Sequence, residues 1–280
     1  MNRKMFDRIA VVAIAGALVF GATAHADLIH HWTMEEGTGT TTADAVGSEN
    51  GTLEGGVTWE TANLPPFVQG GTTAATAFDG QSGTRITMNG FEGITGTGAR
   101  TVAFWMNAAE VQVLDAATMV SWGTTGTSSG TRFDVRINSV DQGTENALRL
   151  EVEGGFIIGE TVVTDGQWRH VAVTWDPDDG LGVHDAKLYI NGILEDNVTQ
   201  SDTNQSIDTG NAEDFRLGAS ILGGVNERNF TGLMDDVRLY DRALSASEIQ
   251  ALVVPEPGSW LLLISALACG LLVRRRRGEE

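Results

Sequence analysis

The pattern of apolar and polar positions is clearest between Trp168 and Trp175. Val171, Val173 and Trp175 fall on one side of an extended chain, and His170, Ala172 and Thr174 fall on the other. Alternation with period two, carried by β-branched and aromatic side chains, predicts a half-buried strand. The loop after it, 176–185, holds one Pro, two Gly and four Asp, so it supports neither helix nor strand. Alternation resumes over 187–190 and stops at Asn191-Gly192, two residues tolerant of the positive φ that a type I′ hairpin turn requires. Ile193 and Leu194 begin a return strand, so the stretch predicts an antiparallel meander and an all-β domain.

The same period recurs along the chain. Strands are predicted over 28–34, 57–59, 74–78, 85–88, 101–107, 118–122, 132–138, 147–152, 156–163, 215–217 and 230–240. In 101–107, Val102, Phe104 and Met106 share one face and Ala103 and Trp105 the other, which suits a strand buried on both sides or one that borders a groove. In 132–138, Phe133, Val135 and Ile137 alternate with Arg132, Asp134 and Arg136, which predicts one face in water. The Gly- and Thr-rich run up to Gly56 and the polar run 199–213 read as loops. Ser245 and Glu248 have capping-box spacing ahead of Ile249 and Leu252, predicting a short helix. About a dozen strands and one C-terminal helix predict a two-sheet antiparallel jelly-roll sandwich.

Both ends differ in kind. Arg3, Lys4 and Arg8 precede the apolar run 9–20 and then Ala24-His25-Ala26, the order of a secretory signal peptide over residues 1–26. At the other end, within 254–280, Pro255-Glu256-Pro257 leads into an apolar run from Trp260 to Val273 and then Arg274, Arg275, Arg276 and Arg277. As a hydrophobic helix that run spans about 21 Å, short of a bilayer core unless Gly258 and Ser259 join it. The arginines would hold its end in the cytoplasm, with the domain outside the inner membrane.

Residues 27–253 remain as one domain of ordinary sandwich size. Over 27–254, 11 Lys and Arg stand against 33 Asp and Glu, a net −22. Such a field repels nucleic acid and anionic lipid and attracts hard cations such as calcium. Cys269, the single cysteine, lies in the C-terminal apolar run, so no disulfide staples the domain.

Three stretches, DGQWRHVAVTWD at 165–176, LYINGILED at 188–196 and FTGLMDDVRLYDRALSASEIQAL at 230–252, resemble the laminin G-like, concanavalin A-type jelly-roll family. Weaker matches, HWTMEEGTG at 31–39, ATAFDG at 75–80 and ARTVAFWMN at 99–107, fall in the family's order. Arg169 stands where the family pattern has a second His. The resemblance implies the jelly-roll fold, glycan binding in many members and a bound calcium ion in many; the fold itself hosts many activities. The segment 255–277 resembles a PEP-CTERM sorting signal. That implies signal peptidase at the front, an exosortase-type enzyme cutting near Pro255-Glu256-Pro257, a membrane-anchored intermediate, and delivery to the cell surface or extracellular matrix.

Candidate chemistry is sparse. Retaining β-glucanases need two carboxylates roughly 5–5.5 Å apart, which a Glu-x-Asp-x-Glu strand supplies. The nearest run, Glu151-Val152-Glu153, lacks the third carboxylate and reads as the solvated face of a strand. No His-Glu-x-x-His, Cys pair or Gly-x-Ser-x-Gly occurs. For calcium, the first and last strands of a jelly roll are often neighbours, which would bring Glu35-Glu36 near Asp235-Asp236. Strict alternation puts Asp235 on the inward face with Leu233, Val237 and Leu239, where a carboxylate needs a partner. That partner is a metal, an Arg or backbone donors, the last making Asp235 a structural residue; for calcium, Asp235 is the expected inward ligand, with Glu36 from the first strand and Asp44 as a weaker third. Trp32, Trp105, Trp168 and Trp175 fall on strands, where aromatic rings fill the core or stack on sugars. The expectation is an exported, non-catalytic protein that binds glycan or matrix polymer. A polysaccharide-cleaving enzyme and a purely structural envelope component are the alternatives.

Overall fold

The computed structural model describes residues 28–254 except 110–115, 127–128, 140–141, 197 and 223–227. The segments 1–26 and 255–280, with the expected signal peptide and sorting motif, lie outside the described residues. Among the described residues no helix is long and apolar enough to cross a membrane.

The first strands are β1 Leu28–Trp32, β2 Thr41–Thr42, β3 Gly51–Glu54, β4 Thr58–Glu60, β5 Ala75–Asp79 and β6 Arg85–Met88. Then come β7 Arg100–Ala108, β8 Thr118–Gly123, β9 Arg132–Ile137, β10 Ala147–Val152, β11 Gly155–Val162 and β12 Arg169–Trp175. The chain continues through β13 Lys187–Ile190, β14 Ile193–Leu194, β15 Thr199–Gln200, β16 Glu213–Leu217 and β17 Thr231–Tyr240 to helix α1, Ala246–Val253. An eight-stranded sheet has the order β14-β13-β12-β7-β17-β5-β4, with β1 also paired to β17. A nine-stranded sheet runs β15-β11-β10-β9-β8-β16-β6-β3-β2. All the strand ladders are antiparallel, and the two sheets make the sandwich of a jelly roll.

The central meander forms as the alternation predicts. Val171, Val173 and Trp175 enter the core, and Asn191 and Gly192 take φ of 52° and 78° at the hairpin turn. Val102, Phe104 and Met106 face the core, while Ala103 faces outward under α1. That helix is fixed by its capping box: Glu248 N–H donates to Ser245 Oγ, and Ser245 N–H donates to Glu248 Oε2 at 2.8 Å. Ile249 and Leu252 then bury on Ala103, Ala172, Tyr189 and Tyr240, each apolar side chain contributing roughly 1.5–3 kcal/mol.

One end of the core holds a cation. Arg100, fully buried on the inward row of β7, donates to the carbonyls of Ile94, Gly96 and Gly98 at 2.8–2.9 Å and to Thr209 Oγ1 at 2.8 Å. Its guanidinium lies 5.3–5.9 Å from the rings of Trp122, Phe133 and Trp175. Burial pulls it down to about 9, with Asp208 opposing.

Three expectations change. Thr41–Thr42, Gly51–Glu54 and Thr199–Gln200 pair as strands where loops were predicted. They are two to four residues long and carry one large apolar side chain between them, Leu53, too few for a period to show in the sequence. The outward row of β9 is not in water: Arg132, Asp134 and Arg136 are 4%, 0% and 4% exposed, because their charges pair with one another and with β10. In β17 the alternation breaks. The pairing with β7 shifts register between Asp235 and Arg238, and Asp236 takes φ of 52°, the geometry of a β-bulge. Met234 before the bulge and Val237 and Leu239 after it all face the core, so the parity changes and Asp235 lies on the outer face opposite Trp105.

Candidate functional site

Among the described residues, the outer face of the nine-stranded sheet carries a dense network of ion pairs. Antiparallel register sets two rows across neighbouring strands. Ser121, Asp134, Glu151 and Phe156 lie opposite one another on β8 to β11, and Arg136, Arg149 and Ile158 form the next row. Because the odd positions of β9 face the core, its arginines project onto the carboxylates of β10.

Glu151 is the centre. It accepts from Arg132 Nη2 at 3.0 Å, from Arg136 Nε at 2.8 Å and Nη2, and it pairs with Arg149 Nη2 at 2.7 Å. Arg228 Nη1 stands 3.6 Å away. Burial alone would push Glu151 up; Arg136, Arg149 and Arg228 overcome it and hold the carboxylate at about 2. Asp134 is buried with Ser121 at 2.5 Å and Arg132 Nε at 2.8 Å, and burial raises it. Arg132 Nη1 reaches Glu153 at 2.8 Å. The Arg149 guanidinium lies 3.9 Å from the ring centroid of Phe156.

Two hollows meet at Phe156. One, of about 390 Å³, is lined by Arg136, Gln142, Arg149, Glu151, Phe156 and Arg228. The other, of about 520 Å³, is lined by Gln142, Phe156, Thr199, Gln200, Ser201 and Thr203 among others. Sharing Gln142 and Phe156, they form one groove from the sheet face to its β15 edge, each half within the roughly 300–1,000 Å³ of ligand sites. An aromatic ring, side-chain amides and hydroxyls, and fixed guanidinium groups suit a polar polymer that offers ring faces and oxygens. Of its carboxylates among the described residues, Glu151 is held ionised and ligated by arginines, and Asp134 is sealed beneath them, so neither is poised as a general acid.

Residues 78–250 match the Laminin_G_3 family model, the concanavalin A-like lectin/glucanases superfamily. The chain belongs to this family. Over 164 residues it is 27% identical to the Rattus norvegicus sushi, von Willebrand factor type A, EGF and pentraxin domain-containing protein 1. That match covers 55% of this chain and only 4% of the relative's length. Domain 4 of AbnA, a GH43 extracellular arabinanase from Geobacillus stearothermophilus solved with arabinotriose, superposes with a TM-score of 0.57. It is 19% identical, over 81% of this chain and 98% of that one. The binding domain of Paraclostridial Mosquitocidal Protein 1 superposes at 0.56 with 16% identity, over 81% of this chain and 52% of that one. At these identities the likeness is one of fold.

The residues expected to bind calcium in this Laminin_G_3 domain do not come together. Strand β1 does pair with β17, but the glutamate that approaches Asp235 is Glu35, which takes the N–H and hydroxyl of Thr73, both at 2.6 Å. Glu36 instead accepts from Ala43 N–H at 2.7 Å. Asp44 lies 2.6 Å from His30 Nδ1 and accepts the N–H groups of His31, Val46, Gly47 and Glu49 at 2.9–3.1 Å. Asp235 Oδ1 accepts from Asp236 N–H at 2.8 Å, and Oδ2 lies 2.9 Å from the Thr72 hydroxyl. Burial, helped by Asp236 and Glu35, raises Asp235 to about 8. Among the described residues no group of three or more His, Cys, Asp or Glu is gathered to hold a metal. Glu36, Asp44 and Asp235 each take separate hydrogen-bond partners.

Of the tryptophans, Trp32, Trp122 and Trp175 fill the core, and Trp168 donates to Asn63 at 3.0 Å. Sequence reasoning passed over Arg136, Arg149, Phe156 and Arg228. A signal existed: charged residues at period two in two predicted neighbouring strands, Arg-x-Asp-x-Arg facing Arg-x-Glu, are too many for one solvated face.

Proposed function

We propose that this Laminin_G_3 domain is a non-catalytic polysaccharide-binding module, and that the groove around Phe156 is where it holds its ligand. The observation that carries this reading is the continuity of the two hollows across an aromatic ring flanked by amides, hydroxyls and guanidiniums. The arabinotriose in the complex of AbnA domain 4 supports it by analogy of fold. The ion-paired state of Glu151 supports a binding role over a hydrolytic one. Retention of the purified protein on insoluble or immobilised polysaccharides, without release of reducing ends, is the expected result, and Phe156→Ala should abolish retention. Release of reducing ends, or retention unaffected by Phe156→Ala, would overturn it.

The setting follows from the two ends of the sequence. The chain is exported, loses 1–26 to signal peptidase, and is held at the inner membrane by 254–280. An exosortase-type enzyme then cuts near Pro255-Glu256-Pro257 and passes it to the cell surface or matrix. Mass spectrometry of the surface fraction should find Asp27 at the front and no peptide from 260–277; surface protein still carrying Arg274–Arg277 would refute the cut.

A further inference from the structure

We infer that the groove selects an acidic polysaccharide, one whose sugars carry carboxylate or sulfate groups, and that Arg149 and Arg228 read that charge. This rests on the polysaccharide-binding reading above.

Charge comes first. Elsewhere on the surface the basic residues pair one to one with carboxylates, as Arg85 does with Glu54, Lys187 with Asp179 and Arg242 with Glu248. Here Arg132 shares Asp134, Glu153 and part of Glu151. Arg136, Arg149 and Arg228 are left with Glu151 as their common carboxylate. Among the described residues lining this end of the groove, three guanidiniums face one carboxylate. Burial pulls Arg149 down to about 10, and Arg136 and Arg228 press it the same way.

Hydrogen bonding points in the same direction. Arg149 is 8% exposed, and its Nε–H is buried without an acceptor. Arg228 Nη1 is also buried without a hydrogen bond, since Glu151 at 3.6 Å is too far for a good one. Buried donors left unmade cost free energy that an incoming acceptor recovers. An anionic oxygen is the acceptor that answers the missing bonds and the surplus charge together. The body's net −22 does not forbid this. Exposed charges are screened beyond roughly 8 Å at physiological salt, whereas contacts inside the groove are screened much less.

The experiment measures affinity of the purified protein at physiological salt for polygalacturonate, dextran sulfate, arabinan and dextran. Expected is tighter binding to at least one anionic polymer than to either neutral one, weakened at high salt. Arg228→Gln, at a side chain 28% exposed, should weaken the anionic affinity by about tenfold or more, the scale of one charge-assisted bond, and leave arabinan unchanged. Arg149→Lys keeps the charge and removes the Nε–H, and should lose affinity for the same polymer. The preferred polymer distinguishes carboxylate from sulfate. Equal affinity for neutral and anionic polymers, or an Arg228→Gln protein with unchanged anionic affinity, would overturn the inference. If Phe156→Ala still abolishes binding in that case, the polysaccharide reading stands alone. No retention on any polymer would sink both.

Discussion

Replacing Asp235 by asparagine should make the protein more stable at pH 8. Asp235 is fully buried beside Asp236 and Glu35, and its carboxyl is raised from 3.8 to about 8. The folded protein therefore binds a proton there that the unfolded chain releases. This contribution is fullest below about pH 4, declines as the pH rises, and is gone once the pH passes the folded value. His170 works the other way. Buried against Trp105, it falls from 6.5 to about 3, so charging it in the unfolded chain costs stability below 6.5. The two effects oppose each other up to pH 6.5, and between 6.5 and 8 Asp235 acts without His170. At about 1.36 kcal/mol per pH unit, the native protein should lose about 2 kcal/mol across that window. The geometry accommodates the amide. The single Thr72 hydroxyl proton cannot serve both Ala74 O at 3.0 Å and Asp235 Oδ2 at 2.9 Å. A proton on Oδ2 resolves this, donating to Thr72 while Thr72 donates to Ala74. An asparagine NH₂ in the place of Oδ2 donates in the same way. Urea unfolding followed by tryptophan fluorescence at pH 6.5 and 8 measures the difference. The native protein should weaken across the window and the variant should not. A native midpoint that stays constant, or a variant that declines in parallel, would refute the reasoning.

Glu151→Gln leaves four guanidiniums around a neutral group, and unfolding free energy should fall by about 3–5 kcal/mol, the cost of removing one partner from a buried ion network. Ser245→Ala removes the acceptor for Glu248 N–H at the start of α1 and should lower stability by about 1 kcal/mol in the same unfolding assay.

The sandwich is legible because its long strands turn alternate residues toward the core between the sheets and toward the outer face. Period two in β7, β9 and β12 is the direct imprint of that geometry. What the alternation cannot carry is an interruption of itself. The bulge at Asp235-Asp236 inserts one residue where the outer edge of β17 changes partner from β5 to β1, and nothing in Leu-Met-Asp-Asp-Val marks it. Asp235 was thereby assigned to the wrong face. That Glu35 rather than Glu36 approaches Asp235 has a related cause: the chain after β1 sets which of two adjacent carboxylates reaches the neighbour. The groove was half legible. Alternating charges located an outward face on β9 and β10, but water was assumed to cover it. Only the register that aligns Asp134 with Glu151 and Arg136 with Arg149 shows that the charges cover one another.

The clasp at Arg100 bears on how the domain can be made. It joins β7 of one sheet to the 94–98 turn and to Thr209 ahead of β16 of the other, as a cystine might, but with reversible bonds alone. Such a cross-link forms equally well in reducing and oxidising surroundings, needs no thiol oxidase, and cannot be mispaired. Refolding from denaturant should show no phase that responds to thiol reagents. Under the proposed export route, closure of the sandwich is then independent of which side of the membrane it occurs on.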